Sequence, residues 1–241
     1  MGLFMNILII FVSLIILYYI YSYFFGSAVV NMTTMMSAKT PATIPASAIA
    51  SNNLSSNYTY SLWFYVNDWN YRFGEEKVVL SRLNSDKNPG PNISFGAMEN
   101  NIRIALSTYP SGSNNSNSQN STSQVNTYIV KNFQLQKWVN LIVSVYGRTL
   151  DVYLDGKLVR TFVLPGISKV SPSSNVKITP NGGFDGATSS FQYWPHATNP
   201  QQAYNIYMSG YGGSILGNLF NKYRIKIAFL DSNVEKSSFE I

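Results

Sequence analysis

The sequence predicts an all-β fold: a two-sheet antiparallel sandwich of the jelly-roll type, with one short C-terminal helix and a single transmembrane helix before it. Three observations support this prediction. From residue 58 onward, roughly nine to eleven short stretches alternate apolar and polar residues, which is the period of a strand. Aromatic residues make up 15% of the chain, which favours strands over helical bundles. The first 25 residues, in contrast, form one long apolar stretch.

Composition limits the class of protein. Only 12% of the 241 residues are charged, so the polar surface must consist mainly of Asn, Ser, Thr and Gln. The net charge is +6, but the basic residues are dispersed, whereas a nucleic-acid site needs them clustered. We therefore predict no nucleic-acid partner. The chain has no cysteine, which excludes disulfides and thiolate metal sites.

The segment Lys137–Leu164 contains two tight-turn signals, Gly147-Arg148 and Asp155-Gly156. If both are two-residue turns, the segment is a three-stranded antiparallel meander with one buried face. The predicted partners in the first hairpin are Val145 and Leu150, Val143 and Val152, and Leu141 and Leu154. In the second hairpin, the prediction places Val152 opposite Val159, Leu150 opposite Thr161 and Asp151 opposite Arg160.

The stretch Leu3–Phe25 has no charged residue. A helix of this length would measure about 34 Å, enough to cross a hydrocarbon core of about 30 Å. Four tyrosines near its C-terminal end are typical of a membrane interface. We predict a single-pass anchor of unassigned orientation, with these anchor residues: Leu3, Ile9, Phe11, Leu14, Leu17 and Phe25.

Three other interpretations fit this stretch less well. A cleavable signal peptide needs a basic start and a shorter apolar core. A myristoylation signal needs Ser or Thr where Asn6 stands. A buried helix of a soluble domain is seldom apolar on every side at this length.

The predicted organisation is an anchor over 1–25, a linker or stalk over 26–57 rich in Ala, Ser, Thr and Pro, and a sandwich over 58–241. Within the sandwich we predict a mobile Ser/Asn-rich loop over 109–124 and a C-terminal extension over 211–241 with a last strand. Asn175–Thr179 and Ala187–Trp194 are predicted to be a closing pair of strands. The predicted helix is Asn199–Met208, with Pro200 in its first turn. The other predicted strands are Tyr58–Val66, Lys77–Leu83, Ile93–Met98, Ile102–Tyr109, Val125–Phe133 and Tyr223–Leu230.

The loops carry the residues considered for ligand binding. Asp68, Trp69 and Tyr71 form the best candidate stretch, because aromatic rings beside carboxylates and amides suit a carbohydrate. Asp68 and Asp185 are weak candidates for calcium, whose ligands are oxygen atoms. The alternative explanation for these aspartates is that they form turns and bind no metal. Scaffold roles in turns and strand starts are predicted for Trp138, Gly147, Asp155, Gly156, Asp185 and Gly186.

No catalytic residue is predicted. Retaining glycoside hydrolysis needs two carboxyl groups about 5–5.5 Å apart. Glu75 and Glu76 are adjacent, so on a strand they would point to opposite faces. His196 is the only histidine, which rules out a histidine cluster for zinc. Apart from the weak calcium candidates, no cofactor is predicted.

Three motifs resemble the laminin-G-like, concanavalin-A-like family: YTYSLWFYV, KWVNLIVSVYGRTLDVYLDGKLV opened by Trp138 after Lys137, and FDGATSSFQYW before a helix that starts with proline. The resemblance implies a jelly-roll sandwich, a fold that occurs in lectins, adhesion modules, glucanases and structural domains. Together with the apolar N-terminal stretch and the ending GYGGSILGNLFNKYRIKIAFLD, the chain also resembles membrane-anchored structural proteins, of minor capsid type, from large icosahedral DNA viruses.

This resemblance implies a non-enzymatic, single-pass membrane protein that links a virion's inner membrane to its capsid shell. Its partners would be the lipid bilayer and other capsid or membrane proteins. The alternative is a membrane-tethered lectin that attaches to glycans.

Overall fold

The computed structural model describes residues 9, 11–18, 30–32, 34–49, 56–83, 87–109, 124–170, 173–212, 226–231 and 234–240. These residues form two antiparallel sheets packed face to face, a separate two-stranded hairpin and two helices, an N-terminal one that includes residues 11–18 and a short C-terminal one. The prediction of an all-β, two-sheet sandwich with a short C-terminal helix is confirmed.

Through the middle of the chain, several consecutive strands lie in one sheet before the chain crosses to the other. In chain order they are β1 (Val30–Met32), β2 (Met36–Ser37), β3 (Ala42–Ile44), β4 (Tyr58–Asp68), β5 (Lys77–Leu83), β6 (Pro89–Phe95), β7 (Ile102–Thr108), β8 (Gln124–Val130), β9 (Trp138–Tyr146), β10 (Thr149–Leu154), β11 (Lys157–Val163), β12 (Val176–Ile178), β13 (Asp185–Trp194), β14 (Lys226–Asp231) and β15 (Val234–Glu240). The helix α1 is Pro200–Met208, and Ala46–Ala48 and Pro180–Gly182 are single 3-10 turns.

The seven-stranded sheet has the order β1-β13-β4-β9-β10-β11, and β2 also pairs with β13. The six-stranded sheet has the order β3-β12-β5-β6-β7-β8. One side of the sandwich therefore ends in the short strands β1, β2 and β3, and the other side ends in the seven-residue strands β8 and β11. The strands β14 and β15 pair with each other.

The core lies between the two sheets and is richest in aromatic rings near one end. Phe95 packs against Phe133 at 4.5 Å, Phe64 at 4.9 Å and Phe184 at 5.0 Å between ring centroids. All four side chains are buried. Burial of each such side chain contributes about 1.5–3 kcal/mol to folding.

The helix α1 covers part of the outer face of the seven-stranded sheet. It begins at a capping box, in which the side chain of Asn199 accepts a hydrogen bond from the backbone N–H of Gln202 at 2.8 Å. Ala203 of the helix is buried against Ile142 and Tyr153 of the sheet. Outward-facing side chains of β9 and β10 are therefore part of a second, smaller core.

The first hairpin of the central meander has the predicted register: Val145 pairs with Leu150, and Leu141 pairs with Leu154. The register predicted for the second hairpin is wrong beyond its turn. Val159 is an extra residue in a β-bulge, so Val152 pairs with Arg160 and Leu150 pairs with Phe162.

The bulge has a physical reason. Without it, Thr161 would face Leu150 on the core side of the sheet. With it, Phe162 takes that place and contacts Tyr128 at 5.0 Å between ring centroids. Thr161 turns to the outer face, where its hydroxyl donates to the carboxylate of Asp151 at 2.6 Å. The predicted pairing of Asp151 with Arg160 is thereby corrected.

Two further predictions are corrected. The described part of the linker predicted over 26–57 contributes strands to both sheets, because β1 and β2 pair with β13 and β3 pairs with β12. The strands β12 and β13 are not a pair, since they belong to different sheets and the chain between them crosses from one layer to the other. Neighbouring strands in the sequence suggested a pairing that the topology does not contain.

Residues 11–18 are helical, and their side chains are exposed. Among the described residues, none of the helices is both long and apolar enough to span a membrane. Residues 1–8, 10 and 19–25 of the predicted anchor lie outside the described part, as do residues 110–123 of the predicted Ser/Asn-rich loop. The C-terminal extension contains two strands, β14 and β15, where one was predicted.

Candidate functional site

Three segments meet at one end of the sandwich: residues 67–76, which include the end of β4 and the loop after it, residues 38–40 before β3, and residues 180–185, which lead into the first residue of β13. We call this region the loop end. It contains all the residues that the sequence proposed for ligand or calcium binding.

The chain leaves β4 through a local turn. The carboxylate of Asp68 accepts a hydrogen bond from the backbone N–H of Asn70 at 2.9 Å, as Asp commonly does at turns. The hydroxyl of Tyr71 donates to the carbonyl of Gly182 at 3.2 Å. Arg72 donates to the carbonyl of Asn181 at 2.5 Å. The loop after β4 is therefore fixed to the segment before β13 by polar contacts.

Asp68 and Asp185 are strand partners, so the two calcium candidates do lie side by side. Asp185, however, already has a cation, because Nζ of Lys39 lies 2.5 Å from its Oδ1. Asn67 donates to its other oxygen at 2.9 Å. The described residues contain no group of three His, Cys, Asp or Glu side chains suited to a metal ion. Calcium binding stays a prediction.

The ion pair shifts the pKa of both partners. The hydrogen bond from Lys39, with a further one from Asn67, holds the pKa of the Asp185 carboxyl below its ordinary value. The same hydrogen bond raises the pKa of the Lys39 amine. Lys39 also lies over the ring of Tyr71, 4.6 Å from its centroid. At neutral pH this part of the loop end is an ion pair beside an aromatic ring.

Trp69 is half-buried, and its ring contacts other side chains of the protein. It packs against Phe133 at 5.9 Å and Phe95 at 6.3 Å between centroids, and Nζ of Lys77 lies 4.5 Å from its centroid. Its indole N–H donates to the carbonyl of Met98 at 3.2 Å. Trp69 therefore joins the loop to the aromatic core.

Lys77 is a buried amine at the same end, and burial lowers its pKa, with the nearby charge of Arg72 acting in the same direction. Its ammonium donates to the carbonyl of Glu75 at 3.5 Å. The loop end thus combines three cationic side chains with aromatic rings: Lys39, Arg72 and Lys77.

The sequence missed three features of this site. Phe73 is 57% exposed and is the most exposed of the loop's three aromatic side chains. Lys39 is distant in the sequence and lies in the predicted linker, so nothing local indicated its place beside Asp185. Arg72 could have been noticed as a basic residue between two aromatic ones.

A second polar cluster lies inside the sandwich. Arg82 is fully buried and donates to the hydroxyl of Tyr60 at 2.9 Å and to the carbonyl of Ser174 at 3.2 Å. Burial raises the pKa of Tyr60 to about 12, so its hydroxyl stays neutral. This cluster orients core tyrosines and has no exposed side chain among Arg82, Tyr58 and Tyr60.

The predicted scaffold residues lie at turns and strand starts. Trp138 begins β9 and stacks on Tyr211, with 4.6 Å between ring centroids and 7° between planes. Asp155 has a positive φ, and its carboxylate accepts the backbone N–H of Asn140 at 2.9 Å. Gly147 occupies the first turn with a φ of 56°, and Gly186 pairs with Val66 next to the bulge of β13.

The nearby carboxylates are paired with other groups rather than with each other. Glu75 forms an ion pair with Arg72 at 2.8 Å. Glu76 accepts the hydroxyl of Ser94 at 2.5 Å and lies 3.6 Å from Arg103. A glycosidase acid needs a raised pKa. The pKa of Asp185 is shifted the opposite way.

Two packed antiparallel sheets with a short helix on one outer face define a jelly-roll-type β-sandwich. The family model described as the concanavalin A-like lectin/glucanases superfamily, of laminin G type, matches residues 38–204. The chain belongs to this family. A search of curated proteins found no match.

Solved structures with a similar fold include botulinum neurotoxin domains. The receptor binding domain of the C/D mosaic serotype matches with a TM-score of 0.55 and 11% identity over 76% of this chain and 45% of that one. The serotype D ligand binding domain in complex with N-acetylneuraminic acid matches with a TM-score of 0.52 and 12% identity over 76% of this chain and 44% of that one. This likeness shows the fold alone, and the chain spans less than half of each matched domain.

Proposed function

We propose that this chain is a non-enzymatic membrane protein, attached by one apolar helix, whose sandwich binds a partner outside the bilayer. One observation carries the proposal. The helical residues 11–18 expose every side chain, and all of them except Ser13 are apolar or aromatic. Since an exposed apolar surface of this kind is unfavourable in water, a lipid environment explains it best. The uncharged stretch Leu3–Phe25 extends the same character.

Flotation with liposomes tests the attachment. We expect the full chain to float with phosphatidylcholine vesicles and to stay bound in high salt. The double variant Leu14→Lys, Leu17→Lys should remain in the dense fraction, because a lysine near the middle of a membrane helix costs about 2.5–3.5 kcal/mol. A matched control is Val163→Lys, on the sandwich, which should float normally. Flotation of the double variant would contradict the proposal.

The absence of catalysis is supported by the carboxylates at the loop end, which are held by cations or local donors. Glu75 contacts Arg72, and Asp185 contacts Lys39. We expect no hydrolysis of β-glucans by the purified chain. Measurable turnover that is lost in Glu76→Gln would contradict this part of the proposal.

The proposed biological setting is a virion, in which the protein would link the inner membrane to the capsid shell. This rests on the sequence resemblance to membrane-anchored structural proteins of large icosahedral DNA viruses. Crosslinking within purified particles tests it. Crosslinks between the sandwich and shell proteins are the expected result, and crosslinks confined to lipid or to other copies would contradict it.

A second candidate function is glycan binding at the loop end. It is favoured by the exposed ring of Phe73 and by the similar fold of a domain solved in complex with N-acetylneuraminic acid. On a glycan array, Phe73→Ala should abolish binding, while Tyr146→Ala, which removes an exposed ring elsewhere, should not. Trp69→Ala is less suitable, because it also removes packing against Phe95 and Phe133. Binding to no glycan would reject this candidate.

A further inference from the structure

The strand β8 is an edge without the usual protection against pairing. It ends the six-stranded sheet among the strands that the structure describes. Its seven residues, QVNTYIV, include no charged residue and no proline. Its pairing with β7 runs from Thr108 and Gln124 to Ile102 and Val130 without a bulge. Natural edge strands are usually shortened, bulged, covered or charged, because their free backbone groups pair with other strands.

The other described edges of the sandwich have such protection. The strands β1, β2 and β3 have only two or three residues. The strand β11 has a bulge at Val159 and carries Lys157 and Arg160. The contrast singles out β8 as the edge where a regular strand can be added.

The exposed side chains of β8 are apolar and regularly spaced. Val125 is 48% exposed and Ile129 is 44% exposed, with the exposed Thr127 between them. These three residues share one face of the strand, because side chains alternate along it. An added strand would place its own side chains beside this row and supply hydrogen-bond partners for the backbone groups that β8 does not pair with another described strand.

The row is complementary to itself. In an antiparallel pair of two β8 strands related by a two-fold axis at Thr127, Val125 of one copy faces Ile129 of the other. Thr127 faces its own counterpart, and no charged residue of one strand faces a like charge. The same operation on β11 would place Arg160 against Arg160, which is unfavourable. Charge therefore permits symmetric pairing at β8 and opposes it at β11.

We propose that the protein forms a homodimer through β8, in which the two six-stranded sheets join into one continuous sheet. The occupant of this edge is thus a second copy of the chain. The proposal does not depend on membrane attachment or on glycan binding.

The lack of cysteine in the chain allows a direct test. Opposite residues in an antiparallel pair have Cα atoms about 4.5–5.5 Å apart, within the range that a disulfide spans. In full-length protein in detergent, with micelles in excess over chains, we expect Thr127→Cys to form a disulfide-linked dimer on mild oxidation. Val163→Cys, on the edge of β11 and 75% exposed, is the control for random collision and should remain monomeric.

The register is tested with two further variants. Val125→Cys alone should not crosslink, because the two copies of residue 125 would lie roughly 14 Å apart along the strands. Ile129→Cys alone should behave in the same way, whereas a mixture of the two variants should give a mixed disulfide dimer. Crosslinking of Val125→Cys alone as efficiently as Thr127→Cys would overturn the proposed pairing.

Sedimentation of the unmodified chain provides a second readout. Thr127→Lys places two lysines opposite each other and should raise the dimer dissociation constant by about tenfold or more. The unfolding temperature of the variant, extrapolated to low protein concentration where the chain is monomeric, should match that of the parent, because the side chain of Thr127 is exposed. A parent that sediments as a monomer at every concentration, or Thr127→Cys that crosslinks no better than Val163→Cys, would overturn the proposal.

Discussion

Replacing Gly156 with alanine should destabilise the protein by more than the backbone strain in its turn alone. Gly156 has a φ of 73°, where an L-residue is strained by about 1–2 kcal/mol. A Cβ at this position would lie 2.9 Å from Cβ of Tyr207 and 3.1 Å from Cα of Tyr204, both on α1. The helix must therefore move away from the sheet, and such overpacking typically costs a further amount of about 1–3 kcal/mol.

Gly147→Ala is the matched control. Gly147 occupies the neighbouring two-residue turn with a φ of 56°, and a Cβ there would meet no atom within 4 Å. Its substitution should cost only the backbone strain, about 1–2 kcal/mol. The difference between the two variants measures the contact between the second turn and α1.

Thermal unfolding followed by near-ultraviolet circular dichroism measures both effects, with a shift of about 2–4 °C for each kcal/mol in a chain of this size. The native spectrum of Gly156→Ala should also change, because Trp63 stacks on Tyr207 at 5.5 Å between centroids. Equal destabilisation by the two variants, with unchanged spectra, would refute the reasoning.

Further predictions concern the core, the ion pair and the helix cap. Phe133→Ala should lower stability by about 3–5 kcal/mol in chemical denaturation, whereas the exposed Phe73→Ala should change it by no more than about 0.5 kcal/mol; similar values for the two would contradict the assigned packing. Asp185→Asn should be less stable than the parent at neutral pH. The contribution of that carboxylate is present above its ordinary pKa of 3.8 and is lost as pH falls through the lower folded pKa, so the stabilities of the two proteins should converge as pH falls below 3.8, and a constant difference would contradict the ion pair. Asn199→Ala should cost about 1 kcal/mol through loss of the capping box, as measured by thermal unfolding, and no loss would argue against that cap.

Much of the fold could be predicted because it depends on local patterns. The alternation of Tyr58, Tyr60, Leu62 and Phe64 fixed both the presence of β4 and its core face. Pro200 after Asn199 marked the start of the helix. The turn at Gly147 set the register of the first hairpin, since a two-residue turn leaves no freedom in the pairing.

The candidate site was less predictable, because contacts between distant residues build it. The loop stretch around Trp69 was recognisable as aromatic and polar. Its partner Lys39 is far away in the sequence, and the packing of Trp69 on Phe133 brings together the loops that follow β4 and β8, two strands of opposite sheets. The hydrophobic pattern of a single segment predicts neither the position of Lys39 nor the contact between Trp69 and Phe133.

By itself, the sequence determined the class of the fold, the positions of most strands, the C-terminal helix and the family, because hydrophobic period and turn residues act over a few positions. The tertiary structure decided which strands neighbour each other, as β12 and β13 show. It also decided the bulge at Val159, because the bulge lets Phe162 pack against the core, which an uninterrupted pairing would not allow. It decided that Asp185 faces Lys39 and that β8 ends the six-stranded sheet among the described strands, because these depend on how the two sheets pack and where each one ends.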